Sequence, residues 1–221
     1  MEIKNTKDVS ANYLKVLVHG AAGAGKTRLC GTTGGRTVIL SAEGGLLSLA
    51  GQDIDVIEIK TMPDLYAAFK FLKADEVYEW VCLDSISEIA EVLLATEKGK
   101  TKDPRQAYGE LQTQMMGLLR GFRDLPKNIY FSAKQESMKD EVTGGLVFGP
   151  SAPGTKVAPA MPYLFDLVFA LHNWKDDEGN MQSALQTQRC SQYEAKDRSG
   201  KLALTEPADL GKIHAKIIGK N

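Results

Sequence analysis

The run Gly20-Ala21-Ala22-Gly23-Ala24-Gly25-Lys26-Thr27 fits the pattern G-x-x-x-x-G-K-[ST] at every position. Its residue types indicate what it does. Glycines allow backbone amides to turn toward phosphate oxygens without a Cβ in the way. Lys26 brings a point charge for the β- and γ-phosphates, and the Thr27 hydroxyl is a ligand for Mg²⁺. Arg28, the next residue, belongs to the same cradle. The chemistry indicated is binding of ATP with Mg²⁺. A chance Gly-rich turn would read the same in isolation, but here an apolar run precedes it and a helical stretch follows.

Three further residues have the types that such a site needs. Trp80-Val81-Cys82-Leu83-Asp84 is an apolar run ending in a carboxylate, the Walker B form, and Asp84 would hold the metal through its water shell. Ser41-Ala42-Glu43 ends another run. A carboxylate there, beside the phosphate loop, suits a general base that polarises the attacking water. A solvated glutamate at a strand end is the other reading. Gln135 follows the run 129–133 and is placed to touch the γ-phosphate, although a turn would carry a surface glutamine equally well.

These residues need strands to present them and helices to cover the strands. Residues 13–19, 36–41, 54–59, 79–84 and 128–133 read as strands, with two more at 164–171 and 183–190. Helices are expected from Lys26 to about Thr32, from Met62 with Pro63 in its first turn, over about 85–97 and over about 208–218. The helix with Pro63 carries Leu65, Phe69 and Leu72 on one face. The clearest amphipathic stretch is 104–125, with Leu111, Met115, Leu118, Leu119, Phe122 and Leu125 at helical spacing. A long Gly/Pro-rich segment, 136–162, reads as a loop. Strands alternating with helices imply an α/β fold, a mostly parallel twisted sheet with helices on both faces. Antiparallel strands are expected near the C-terminus. Residues 1–12 read as an N-terminal extension and 13–221 as one ATPase domain.

At this point the chain resembles the RecA-like P-loop ATPases. GAAGAGKT, Glu43 after the second strand, Asp84-Ser85 and Gln135 before a long segment carry the resemblance. Its short, core-only length is similar to bacteriophage recombinases that anneal single strands. The resemblance implies a homo-oligomer with ATP at subunit interfaces, acting on single-stranded DNA in annealing or strand exchange, with a single-strand binding protein as a further partner. Lys196 and Arg198 match the Lys-x-Arg turn of RecA-like rings and filaments. The resemblance makes them trans-acting groups that stabilise charge on a neighbour's phosphoryl group. An ordinary solvated hairpin turn is the alternative. The resemblance places DNA contacts near Lys98, Lys100, Lys102 and Arg105, where a solvated helix-to-helix connection is the alternative, and on a second loop holding Lys139 and Lys156. Asp140 and Glu141 dilute the charge of that second loop.

Composition sets the outer bounds. With 221 residues, 43% apolar and 25% charged, the chain suits one globular domain. A net charge of −1 argues against a general polyanion binder. Cys30, Cys82 and Cys190 are dispersed, without a CxxC pair, so neither a disulfide framework nor a zinc site is indicated. His19, His172 and His214 are scattered and receive no metal role. No signal peptide or membrane-spanning run is read, and a cytoplasmic setting is expected, a bacterial host's if the chain is phage-encoded. A ring-forming helicase-like motor and a nucleotide-switched regulator without DNA remain open. A small-molecule kinase would need an Arg-rich lid, which is not found.

Overall fold

The computed structural model describes residues 12–140 and 144–219. Most of the expected N-terminal extension, and Glu141, lie outside the described residues.

The strands with near-continuous apolar sequence became the centre of the sheet, because parallel strands covered on both faces have no solvated side. They are β1 (Lys15–Gly20), β2 (Thr37–Ser41), β4 (Trp80–Asp84) and β5 (Asn128–Ala133), with almost every residue buried. β3 (Asp55–Glu58) alternates half-buried with exposed residues and lies at one edge, where Asp55 and Glu58 discourage further pairing. β8 (Leu167–Lys175) pairs parallel with β1. The antiparallel strands β9 (Met181–Gln186), β10 (Lys196–Asp197) and β11 (Thr205–Pro207) lie beyond it. The order along the sheet is β11-β9-β8-β1-β5-β4-β2-β3, with β10 alongside β8. This is the expected architecture of parallel core and antiparallel C-terminal strands.

Helices cover both faces. On one face, α2 (Met62–Ala74), α3 (Ile86–Lys100), α4 (Pro104–Arg123) and α5 (Val157–Leu164) enclose a core with Leu17, Leu40, Leu83 and Phe131. Leu111, Met115, Leu119 and Phe122 of α4 are buried, as their spacing required. Phe122 stacks edge-on to Phe69 and Phe131, at 5.0 and 6.0 Å between centroids. Side chains define the starts: Thr61 and Asp64 form a capping box on α2, while Ser85 and Asp103 cap α3 and α4.

On the other face, α1 (Lys26–Leu29), its 3₁₀ continuation Cys30–Thr32 and α6 (Leu210–Ile218) cover Val16, Val18, Ile39 and Cys82. The helix expected over 26–32 is thus a single α-turn that tightens. α6 is joined to it directly. Leu210 N–H donates to Thr32 Oγ1 at 2.9 Å, and a Cβ on Gly211 would come within 2.8 Å of the Thr32 carbonyl oxygen.

Two expectations are corrected. The segment 136–162 is no open loop. It holds β6 (Gln135–Lys139), β7 (Leu146–Pro150) and the start of α5. The β6–β7 ladder is antiparallel, Gln135↔Pro150 to Lys139↔Leu146. β6 is mostly polar and none of its residues is buried, so alternation gave no signal for it. The strand boundaries at 164–171 and 183–190 also shift, because α5 runs past Pro162 to Leu164, β8 starts at Leu167 and β9 starts at Met181.

Candidate functional site

β1 delivers the chain to the sheet's C-terminal edge at Gly20, and the next residues turn back on themselves, with Ala24 N–H donating to the Ala21 carbonyl at 3.2 Å. Gly23 and Gly25 have φ of 74° and 103°, which side chains with a Cβ rarely adopt. Space around Gly23 is open: nothing lies within 4 Å of where a Cβ would be. Ala21, Ala22 and Arg28 are exposed beside this hollow. The Lys26 ammonium donates to the carbonyls of Gly20 at 2.8 Å and Ala21 at 3.0 Å. Burial lowers its pKa, opposed by the nearby charges of Glu43 and Asp84. With only one α-turn behind it, the loop relies on backbone amides and this ammonium more than on a helix dipole.

β4 lies two strands from β1 and brings Asp84 to the same edge. Its carboxylate is 3% exposed and receives two hydroxyls. Thr27 Oγ1 donates to Oδ2 at 2.6 Å, and Ser132 Oγ on β5 donates to Oδ1. Thr27 and Asp84 form an all-oxygen pair of the kind a hard divalent cation takes. The open cradle, the ammonium and this pair together fit ATP with Mg²⁺.

β2 ends at Ser41, beside Asp84 in register, and Glu43 follows it onto the rim. Glu43 is exposed and Ser85 Oγ donates to its Oε1, so the carboxylate is aimed and still open to water. Gln135 begins β6, two residues past the end of β5. Its Oε1 lies 3.3 Å from His19 Nδ1. The structure therefore gathers Lys26, Thr27, Asp84, Glu43 and Gln135 around one edge.

Lys196 and Arg198 do not join them. Lys196 is opposite Val168 near the start of β8, whereas the phosphate loop leaves from Gly20, opposite Leu171. Three residues of strand separate the two levels, roughly 10 Å. Lys196 Nζ donates to the Pro162 carbonyl. Arg198 pairs with Asp166 at 3.2 Å and borders a cleft of about 820 Å³ lined also by Tyr13, Lys15 and Arg123.

Of the basic residues expected in loops, Lys98 and Lys100 are on the last turn of α3, because Thr101 ends that helix and Gly99 does not break it. Lys100 pairs with Glu97 at 2.7 Å. Lys98 Nζ is 5.4 Å from the Tyr108 ring centroid. Lys102 is exposed between α3 and α4. Arg105 and Lys156, far apart in sequence, meet across a groove of about 520 Å³ with Tyr108, Pro153 and Gly154. Lys139 is exposed on β6 and does not line that groove.

Residues 12–199 match the profile of a family described as the AAA domain. The chain belongs to that family. The phosphate loop lies inside the matched region. No curated protein matches the sequence. Among solved structures, a KaiC-like protein from the hyperthermophilic archaeon Pyrococcus horikoshii OT3 is similar at 13% identity and a TM-score of 0.47. The alignment covers 88% of this chain and 84% of that one.

Sequence reading missed two contributors to the AAA domain's site, Ser132 and His19, and named Ser85 without giving it a role. Ser132 carried a signal, being a polar residue within a wholly buried strand. Ser85 follows Asp84 directly and also accepts the Glu88 N–H as helix cap, at 3.3 Å. His19 had no signal beyond its place before Gly20.

Proposed function

We propose that this AAA domain binds ATP with Mg²⁺ between its residues 20–28 and a neighbouring copy, hydrolyses it, and acts on single-stranded DNA in phage recombination, by annealing or strand exchange. The observation that carries the nucleotide reading is the convergence of the Lys26 ammonium, the Thr27 hydroxyl and the Asp84 carboxylate at one strand edge, with Thr27 and Asp84 2.6 Å apart. Bound Mg²⁺ would neutralise phosphate charge. Lys26 would hold the β- and γ-phosphates once drawn from its two carbonyls. Glu43, aimed by Ser85, would take a proton from water as its oxygen attacks the terminal phosphorus and the bond to the bridging oxygen breaks. Arg198 and Lys196, remote from their own chain's loop, would serve the next subunit.

What supports DNA as the partner is the groove joining Arg105, Lys156 and Tyr108: two cations for phosphates and a ring, 39% exposed, for base stacking. The reading is tested by measuring ATP turnover with and without single-stranded oligonucleotides over a salt series, alongside a sizing experiment. DNA-stimulated, salt-sensitive turnover by an oligomer is expected. Salt-insensitive turnover with no oligonucleotide bound would leave the second reading, a nucleotide-switched regulator. That reading is favoured by the net charge of −1 and by cations already neutralised, such as Lys134 with Glu88 and Glu91. A helicase-like motor would be revealed by displacement of a strand from a tailed duplex.

A further inference from the structure

His19 is fully buried at the end of β1, immediately before Gly20, with Ala133 of β5 and Ala170 of β8 as its register neighbours. Its two ring nitrogens reach different parts of the molecule. Nε2 lies 2.7 Å from the Glu194 carbonyl oxygen, and Nδ1 lies 3.3 Å from the Gln135 carboxamide. Glu194 is itself bound to the β6–β7 hairpin, since its N–H donates to the Phe148 carbonyl at 2.8 Å. One imidazole thus joins the root of the phosphate loop to both sides of that hairpin.

The chemistry of the partners fixes the tautomer. A carbonyl oxygen only accepts, so Nε2 carries the proton that occupies the Glu194 contact. Burial lowers the pKa of His19, with the Lys26 charge acting the same way, so the ring is neutral near pH 7. A neutral ring protonated on Nε2 has a bare lone pair on Nδ1. Facing Oε1 of Gln135 to that lone pair would set two acceptors together. A half-turn of the last Gln135 torsion exchanges oxygen for NH₂ and restores a donor to the acceptor.

We propose that His19 is a positioning residue that fixes the polarity of Gln135, holding its amide nitrogen inward and turning its amide oxygen toward the nucleotide edge. This rests on the nucleotide reading above and changes what Gln135 contributes there. An outward oxygen repels phosphate oxygens and accepts from water. Gln135 then orients the attacking water, and Lys26 is left to hold the γ-phosphate.

The tautomer is read directly from two-bond ¹H–¹⁵N imidazole spectra of the full chain at pH 7, with the His19 signals assigned by their loss in His19→Gln. A neutral ring protonated on Nε2 is expected. A ring protonated on Nδ1, or on both nitrogens, would overturn the proposal. This measurement needs no turnover, so a chain that fails to hydrolyse ATP would sink the nucleotide reading and leave the tautomer result to be judged by itself.

Kinetics supply the second arm. His19→Asn places an amide oxygen near the Nδ1 position and keeps an acceptor for Gln135. His19→Gln places an amide nitrogen near Nε2, keeping the Glu194 tether and abandoning Gln135. The expected result is kcat within about threefold of wild type for His19→Asn and about tenfold lower for His19→Gln, the size of one lost hydrogen bond, with KM for ATP unchanged. Adding Gln135→Ala to His19→Gln should lower kcat no further. Equal losses in both variants, losses in KM alone, or additive losses in the double variant would mean His19 is only a packed core residue.

Discussion

Asp84→Asn separates a metal anchor from a structural buried charge. Asparagine keeps the volume of Asp84 and loses its charge. In the native chain Oδ2 accepts from Thr27 at 2.6 Å and Oδ1 accepts from Ser132. A hydrogen bond to a charged acceptor is worth ~1.5–3 kcal/mol and a neutral one ~0.5–1.5 kcal/mol, so two bonds lose roughly 2–3 kcal/mol in the variant. The asparagine amide and the two rotatable hydroxyls still satisfy one another. Relief from burying a carboxylate offsets the loss, since that burial costs several kcal/mol. Stability without nucleotide should therefore stay within about 1 kcal/mol, a shift of about 2–4 °C in Tm for a chain of this size.

The metal side has no such offset. Two unit charges about 4 Å apart attract by about 4 kcal/mol at an effective dielectric of 20, and a divalent cation near Thr27 loses that attraction entirely. If even two thirds of it is expressed in the transition state, Mg²⁺-dependent turnover falls at least about a hundredfold. The assay is ATP turnover over a Mg²⁺ titration, paired with thermal unfolding of the nucleotide-free protein. Turnover within about threefold of wild type would refute Asp84 as the anchor. A stability loss above about 4 kcal/mol would show a charge retained for structure.

Other perturbations test the remaining parts. Glu43→Gln should bind ATP with native affinity and hydrolyse it about 10²–10⁴-fold more slowly, and a wild-type rate in single-turnover kinetics would remove Glu43 as the base. If Arg198 acts in the neighbour's site, Arg198→Ala mixed with Lys26→Ala should regain turnover that neither has alone; co-assembly without recovery contradicts a shared site. Lys15 is held down to about pKa 8 by burial, against 10.5 when exposed. The unfolded chain therefore binds more protons than the folded one between those values, and the contribution of Lys15 to stability rises with pH from about 8 to 10. Denaturant midpoints across that range should rise more steeply for wild type than for Lys15→Met, and parallel curves would refute the linkage.

The sequence was most legible where chemistry demands neighbours in the chain. The phosphate loop is eight consecutive residues, Asp84 ends an apolar strand, and Glu43 follows another. Each carries its meaning locally. The apolar stripe of α4 was legible for the same reason, since Leu111 to Phe122 repeat within one helix. The hairpin at 135–150 was not, because Gln135-Glu136-Ser137-Met138-Lys139 is held by pairing with Leu146–Pro150 and by neither alternation nor a buried face. Lys98 and Lys100 were expected beyond a helix ending near residue 97, but α3 runs on to Lys100 with Thr101 as its C-cap. The level of Arg198 depends on a two-residue strand docking on β8, which only the assembled sheet reveals. Ser132 meets Asp84 because β4 and β5 are neighbours, a fact of topology and not of spacing.

One turn of helix cannot stand unaided in water. Lys26 and Thr27 sit in such a turn, braced from below by Tyr130, whose hydroxyl donates to the Lys26 carbonyl at 2.7 Å, and from the side by α6. The brace formed by Leu210 and Gly211 is made about 180 residues after the cradle it supports. A growing chain thus emerges with its most recognisable motif early and its rigidity late. Competence to grip a triphosphate is acquired only once α6 has been made, so a fragment stopped short of α6 carries the signature without the grip.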